Sequence, residues 1–176
     1  LGNITEARDT ESGTHIKRVK GYTKILATHI KDEFPEYGLD DEQIALITSA
    51  SALHDIGKIM IPDAILRKPG RFTEEEFDVM KTHCEKGCEI LKMAPKGWDK
   101  RYLDFSMEIC KYHHEKWDGN GYPGGLKNEE IPISAQIVSV ADCFDALTTK
   151  RVYKDAYELE EAFNMIVNGE CGNFSD

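Results

Sequence analysis

Six histidines carry the chemical interest of this chain: His15, His29, His54, His83, His113 and His114. Imidazole combined with carboxylate is the donor set of borderline divalent cations such as iron, manganese and zinc. Glu11 and His15 are four residues apart, so a helix that starts early enough puts them on one face. His54 and Asp55 are adjacent, and neighbours on a regular helix diverge by about 100°. Both reach one cation only where the helix ends, or where a second cation is present. A carboxylate can bridge two cations through its two oxygens, which makes Asp55 the bridging candidate. The adjacent pair His113–His114 is subject to the same condition.

His83 shares an apolar face with Met80 and Gly87, and Asp142 one with Val138 and Ala141. An unpaired carboxylate on an inner face is costly to bury, and Asp145, one turn on, doubles the difficulty. Cations would resolve it. Each of these residues taken alone reads as an ordinary hydrogen-bonded core residue, a cap or an ion-pair member. The metal reading gains because all of them sit on separate amphipathic helices of one small chain. His29 has no carboxylate arranged around it and reads as structural or surface.

The elements that must position these groups are helices. Ile16, Val19, Tyr22, Leu26 and Ile30 recur in steps of three and four, predicting a first helix over about Gly13–Phe34 stopped by Pro35. A second starts at Asp40, with Gln43 completing a capping box, and runs through His54–Asp55 to Gly57. A loop broken by Pro62, Pro69 and Gly70 follows. Thr73 with Glu76 caps a third helix carrying Phe77, Met80, His83 and Gly87. A fourth covers about Leu103–His114, and a fifth, capped by Ser134, runs to Leu147. A last helix covers about Glu158–Val167 and ends at Gly169. Apart from short stretches near Ile59–Ile61 no alternating strand pattern occurs, so the expected class is all-α.

The chain has 176 residues, 40% of them hydrophobic, and 22 basic against 32 acidic side chains give a formal charge of −10. That composition predicts one globular domain, residues 1–176. It speaks against a duplex-DNA partner, which needs a basic face. No apolar run approaches the roughly 20 residues of a membrane helix. Five cysteines, at 84, 88, 110, 143 and 171, form no C-x-x-C pair and are odd in number. A reducing cytoplasm is expected rather than a disulfide-built secreted domain. Cys84 and Cys88, one turn apart, read as packing residues.

The ordered segments ALHDIGKIMIPDAILRKPG, THCEKG, YHHEKWDGNGYPGGL and VADCFDALTTKRVYK resemble the HD-GYP subgroup of the HD phosphohydrolases, from Arg8 to the end of the chain. The resemblance implies a compact HD-type helical bundle with a metal site in its core, binding two or three divalent cations. Iron or manganese is expected, with nickel and zinc as alternatives. It implies hydrolysis of cyclic di-GMP to the linear dinucleotide or GMP, or in some members of a mixed cyclic GMP–AMP. By the same resemblance the ligands are Glu11, His15, His54, Asp55, His83, His113, His114 and Asp142, with Glu11 at the third-cation position. Lys58 is expected near the scissile phosphate, Gly121-Tyr122-Pro123 is the signature tripeptide, and Arg151 and Lys154 match phosphate-binding positions. Departures are Glu11-Ser12-Gly13 for E-T-G, Asn128-Glu129-Glu130-Ile131-Pro132 followed by Gln136 where Arg is common, and Phe174-Ser175-Asp176 for Phe-Asp-Pro. An excised catalytic domain of a larger signalling protein, trimmed at its C-terminal end, is therefore expected. A sensory or receiver domain, or a diguanylate cyclase, is the expected protein partner.

The expected chemistry is attack on phosphorus by a metal-bridging hydroxide, with Asp55 and Lys58 as the catalytic pair and Asp145 orienting a ligand or a water. Lys58 would neutralise phosphate charge, and Arg151 and Lys154 would hold the second phosphate. The Gly-rich loop WDGNGYPGGL reads either as a substrate-side loop or partner surface carrying Tyr122, or as a plain tight connection, with Pro123 structural. Three other readings compete: a non-catalytic dinucleotide-sensing or docking module, a phosphohydrolase for another nucleotide, and a helical scaffold with incidental histidines. Elemental analysis of the purified protein separates the last from the rest. The metal reading expects two or three ions per chain, and a scaffold carries none.

Overall fold

A computed structural model describes residues 14–150 and 155–175. Glu11, Arg151 and Lys154, and with them the expected third-cation position and second phosphate contact, lie outside these residues. Among the described residues there are helices and no strand. They are α1 (His15–Glu33), α2 (Asp41–Ala50), α3 (Asp63–Leu66), α4 (Glu74–Lys81), α5 (His83–Lys92), α6 (Lys100–Tyr112), α7 (Ile133–Thr148) and α8 (Leu159–Val167). Tight 3-10 turns punctuate them, including Ser51–Leu53 and Ile56–Met60. The strand-like stretch at Ile59–Ile61 is thus part of a turn. No helix among the described residues is long and apolar enough to cross a membrane.

Helix starts follow local chemistry where the caps are strong. Asp40 accepts the Gln43 N–H at 2.7 Å while the Gln43 side chain accepts the Asp40 N–H at 2.9 Å, the reciprocal box that opens α2. Thr73 and Glu76 do the same for α4. Two expected starts move. Asp99 accepts the Tyr102 N–H at 2.9 Å, so α6 begins at Lys100 rather than Leu103. Ser134 does not cap α7: Pro132 precedes the first turn, and Ser134 Oγ donates to Glu108 Oε2 of α6 at 2.9 Å. A lone serine near a helix start is available to tertiary partners as well as to the cap, and here the partner on α6 takes it.

Two expected helices are broken, and both breaks serve the same centre. The second helix ends at Ala50; the chain then tightens into 3-10 turns on either side of His54–Asp55. The third is cut at Thr82, whose hydroxyl donates to the Val79 carbonyl at 2.6 Å. α4 and α5 are therefore separate elements, and Phe77 is left exposed while Met80 and His83 are buried. Single-turn α3 replaces part of the expected loop, its first residue following Pro62.

α1, α2, α6 and α7 enclose the main core of Val19, Ile47, Ala50, Ile109, Val138 and Ala141, all essentially inaccessible. α5 lies between α6 and the turn at Ile56–Met60. A second core of Leu53, Ile56, Cys88, Leu91 and Cys110 fills that side. Cys84 is also buried, so the three thiols pack as small apolar groups. The close approach of α5 depends on two glycines. A Cβ on Gly57 would sit 1.8 Å from the His83 carbonyl oxygen and 2.5 Å from the Gly87 nitrogen, and one on Gly87 would sit 2.1 Å from Cys110 Sγ.

Gly57→Ala must therefore push α5 away from the turn that bears Asp55. It is expected to destabilise the protein by about 3 kcal/mol, read as a lower midpoint in urea. Gly21→Ala is the matched control. Its Cβ meets nothing within 4 Å, and replacing a helix-interior glycine there should stabilise by up to about 1 kcal/mol.

Candidate metal centre

Each buried histidine arrives with one ring nitrogen already committed. His54 Nδ1 donates to the Ser51 carbonyl at 2.7 Å, His83 Nδ1 to Met80 at 2.7 Å, and His113 Nδ1 to Ile109 at 2.9 Å. A carbonyl can only accept, so in these rings Nδ1 carries the hydrogen and Nε2 faces the interior. The acceptors lie three or four residues upstream, and the Ser51 and Ile109 carbonyls, which already accept the backbone N–H of His54 and His113, use a second lone pair for the ring. These bonds, made close to the ends of α2, α4 and α6, both aim the rings and fix their tautomers.

His15, at the start of α1, is held differently. Its Nδ1 donates to Asp145 Oδ2 of α7 at 2.8 Å, and Arg18 Nε and a terminal nitrogen donate to the same carboxylate at 2.5 and 3.0 Å. Burial works against the charge of Asp145, but the bonds from His15 and Arg18 hold its carboxyl below the usual range. Asp145 thus holds the His15 ring, whose Nε2 lies 3.6 Å from Asp142 Oδ1.

The result is one buried cluster in two groups. Donor atoms of Asp55, His83, His113 and His114 lie within 4.8 Å of one another, as do those of His15, His54 and Asp142. Asp55 belongs to both sides. Its Oδ1 is 3.3 Å from His83 Nε2 and 3.7 Å from His113 Nε2, while its Oδ2 is 3.3 Å from His54 Nε2. His54 Nε2 is in turn 3.8 Å from Asp142 Oδ1. Seven of the eight expected ligands are thus brought together. His29 stays on the exposed side of α1, against Phe34, and takes no part.

The donor set fits divalent cations. Ligand atoms about 2.1 Å from one ion sit about 3 to 4 Å apart, which matches these separations. His54 Nε2, Asp55 Oδ1 and His113 Nε2 are buried without a hydrogen-bond partner among the described residues, an arrangement that costs free energy unless a cation completes it. Cysteine is absent from both groups, so the set is one of nitrogen and oxygen donors.

Charge is distributed unevenly across the cluster. Burial alone would strip the proton from His54, but Asp55 and Asp142 outweigh it and push its pKa up to about 9. Burial and the charge on His54 push His113 down to about 3, and burial also lowers His83 and His114. The Asp55 carboxyl, despite burial, is held well below its usual range by Lys58 and His54. Lys58 Nζ sits 2.8 Å from Asp55 Oδ2. It therefore pairs with the central carboxylate.

The Gly-rich loop folds back over the double histidine. Tyr122 N–H donates to the His114 carbonyl at 3.2 Å, and the Tyr122 ring stacks on the His114 ring at 4.7 Å between centroids. Tyr122 also meets Phe77 edge-on at 6.0 Å. The loop thus packs against one side of the cluster through Tyr122. Two groups escaped sequence reasoning. Arg18 stands three residues after His15, the one local signal of a shared face. Glu115 directly follows the double histidine, yet nothing nearby in sequence shows that it is buried.

The HD domain family profile matches residues 14–171. The chain belongs to the HD domain family, and its cluster and family together point to divalent-cation binding. Within that family it is of the HD-GYP type. It is 42% identical, over 99% of its length, to a cyclic di-GMP phosphodiesterase of Vibrio cholerae serotype O1, covering 36% of that protein. It is 45% identical, over 94% of its length, to a cyclic di-GMP phosphodiesterase of Thermotoga maritima, covering 42% of it. A 3'3'-cGAMP-specific phosphodiesterase 2 of Vibrio cholerae is 45% identical over 92% of the chain, which covers 29% of it. The chain spans well under half the length of each of these relatives.

Occupation by a cation requires neutral imidazoles. Below about pH 9 the cation-free protein carries a proton on His54, and a cation must displace it. Apparent affinity for Mn²⁺ is therefore expected to rise about tenfold per pH unit up to about pH 9 and then flatten. Titration calorimetry in buffers of different ionisation enthalpy checks this. Near pH 7.5 it should read release of about one proton per chain from His54, and no release would contradict the charge state assigned to it.

Proposed function

We propose that this chain is the catalytic domain of a metal-dependent phosphodiesterase that hydrolyses cyclic di-GMP to the linear dinucleotide or GMP. The observation that carries the reading is Asp55, whose two oxygens face two imidazole groups at 3.3 Å within a buried cluster of seven donors. That is the arrangement a bridging carboxylate needs. His83, His113 and His114 would hold one cation beside Asp55, and His15, His54 and Asp142 the other. Glu11 is the added ligand proposed for a third. Iron or manganese suits this nitrogen and oxygen set, with nickel and zinc as weaker candidates. Cations there would supply Lewis acidity toward a phosphate oxygen and lower the pKa of bound water.

The protein's own groups do the rest. Hydrolysis adds water to phosphorus, breaks one phosphorus–oxygen bond of the ring and leaves a proton on the departing 3' oxygen. Lys58, a compact charge already beside Asp55, would shift toward the phosphate and neutralise charge that grows there. Tyr122 would form the base-side wall, and Arg151 and Lys154 would hold the second phosphate. The −10 charge of the chain is compatible with an anionic substrate because each divalent cation adds about +2 at the centre. The relatives named as acting on cyclic di-GMP support the substrate class. The 3'3'-cGAMP-specific relative at 45% identity favours one second reading, in which the mixed dinucleotide is preferred. A sensory or receiver domain is the proposed source of control, in a larger cytoplasmic signalling protein.

Mn²⁺- or Fe²⁺-loaded protein incubated with each cyclic dinucleotide should yield linear dinucleotide or mononucleotide on chromatography. Metal binding without turnover of either substrate would sink the enzyme reading. Asp55→Ala should lower turnover by roughly a thousandfold or more, and retained turnover would remove Asp55 from its bridging role.

A further inference from the structure

The catalytic reading leaves one buried charge unused. Glu115 follows the double histidine at the end of α6, where its N–H closes the turn onto the Tyr112 carbonyl at 2.9 Å. Its side chain turns inward and is 2% exposed. A buried carboxylate persists only where charge-assisted hydrogen bonds replace its hydration. Glu115 finds them in the loop: Oε1 accepts the Gly124 N–H at 2.6 Å and Oε2 the Leu126 N–H at 3.0 Å. The two donors flank Gly125, whose φ of +65° is the left-handed conformation that turns both N–H groups to one side.

The near end of the loop is pressed onto the same residue. A Cβ on Gly121 would lie 2.4 Å from Glu115 Cα and 2.5 Å from the His114 carbonyl oxygen. Tyr122 comes next, tied to that carbonyl and stacked on His114. One residue thus clamps the loop on both sides of Tyr122, by backbone contact at Gly121 and by its carboxylate at Gly124 and Leu126. We infer that Glu115 is a positioning residue for substrate: it sets the loop, and through it Tyr122, at the height that admits a cyclic dinucleotide. It neither belongs to the donor cluster nor touches the reacting phosphate. This assignment rests on the phosphodiesterase reading for its kinetic consequence, but not for its structural one.

The test uses the metal-loaded protein with Glu115→Ala and Glu115→Gln, the second keeping one carbonyl acceptor. Four quantities are read: metal content, amide hydrogen exchange across residues 117–126, cyclic di-GMP kinetics, and turnover of the small diester bis(p-nitrophenyl) phosphate. Metal content and small-diester turnover should stay at the unchanged protein's values. Exchange at Gly124 and Leu126 should speed up. KM for cyclic di-GMP should rise about a hundredfold in Glu115→Ala and about tenfold in Glu115→Gln, with kcat altered far less. Unchanged exchange at Gly124 and Leu126, or loss of both substrates in parallel with metal, would overturn the assignment. If the unchanged protein cleaves no cyclic dinucleotide, the phosphodiesterase reading falls, and the exchange data still decide whether Glu115 holds the loop.

Discussion

The Asp55 carboxylate is surrounded by three imidazoles and an ammonium group in a largely buried space. Oδ1 faces His83 and His113, and Oδ2 faces His54 and Lys58, at distances between 2.8 and 3.7 Å. A charge taken out of water at that depth is tolerated only with opposite charge and directed donors around it. Much of the fold can be read as the means of supplying them. The turn after α2 brings His54, Asp55 and Lys58 to one point. α5 brings His83 close enough only because Gly57 and Gly87 lack side chains. α6 ends where His113 and His114 can both turn inward, and α1 and α7 contribute His15 and Asp142.

Orientation matters as much as proximity. An imidazole free to rotate offers either nitrogen, and a cluster of such rings would not present a defined set of donors. Here three rings are pinned through Nδ1 to carbonyls at the ends of helical turns, and the fourth, His15, to Asp145. Breaks in regular structure are therefore functional. An uninterrupted helix would splay His54 from Asp55 by about 100°. The apolar core around Val19, Ile47 and Val138 then provides the rigidity that lets the tethers hold. The Gly-rich loop is organised by a comparable device, with Glu115 as the fixed point and loop amides as the donors.

Much of this was legible in the sequence, though unevenly. Helix α1 was visible from its three-and-four spacing, and the starts of α2 and α4 from their capping boxes, because those signals are local. The list of imidazoles and carboxylates was visible because few other roles explain so many of them on inner faces. The breaks at Ala50 and Thr82 were not, since apolar periodicity continues through a change from α to 3-10 winding. Ser134 misled for the reverse reason: its residue type suits a cap, but a partner on α6 was nearer. Arg18 and Glu115 were missed because their partners lie 127 and up to 11 residues away, and sequence carries no mark of such hydrogen bonds.

By itself, then, the sequence determined the helical class, the identity of the donor groups and the family whose motifs they follow. These depend on residue type and short-range spacing. Only the tertiary structure decided that seven donors meet, that they divide into two groups sharing Asp55, which nitrogen of each pinned ring faces inward, and that Tyr122 closes over His114. Those outcomes depend on where helices stop and how closely their backbones approach. Packing and long-range hydrogen bonds set both, over distances that no local pattern encodes.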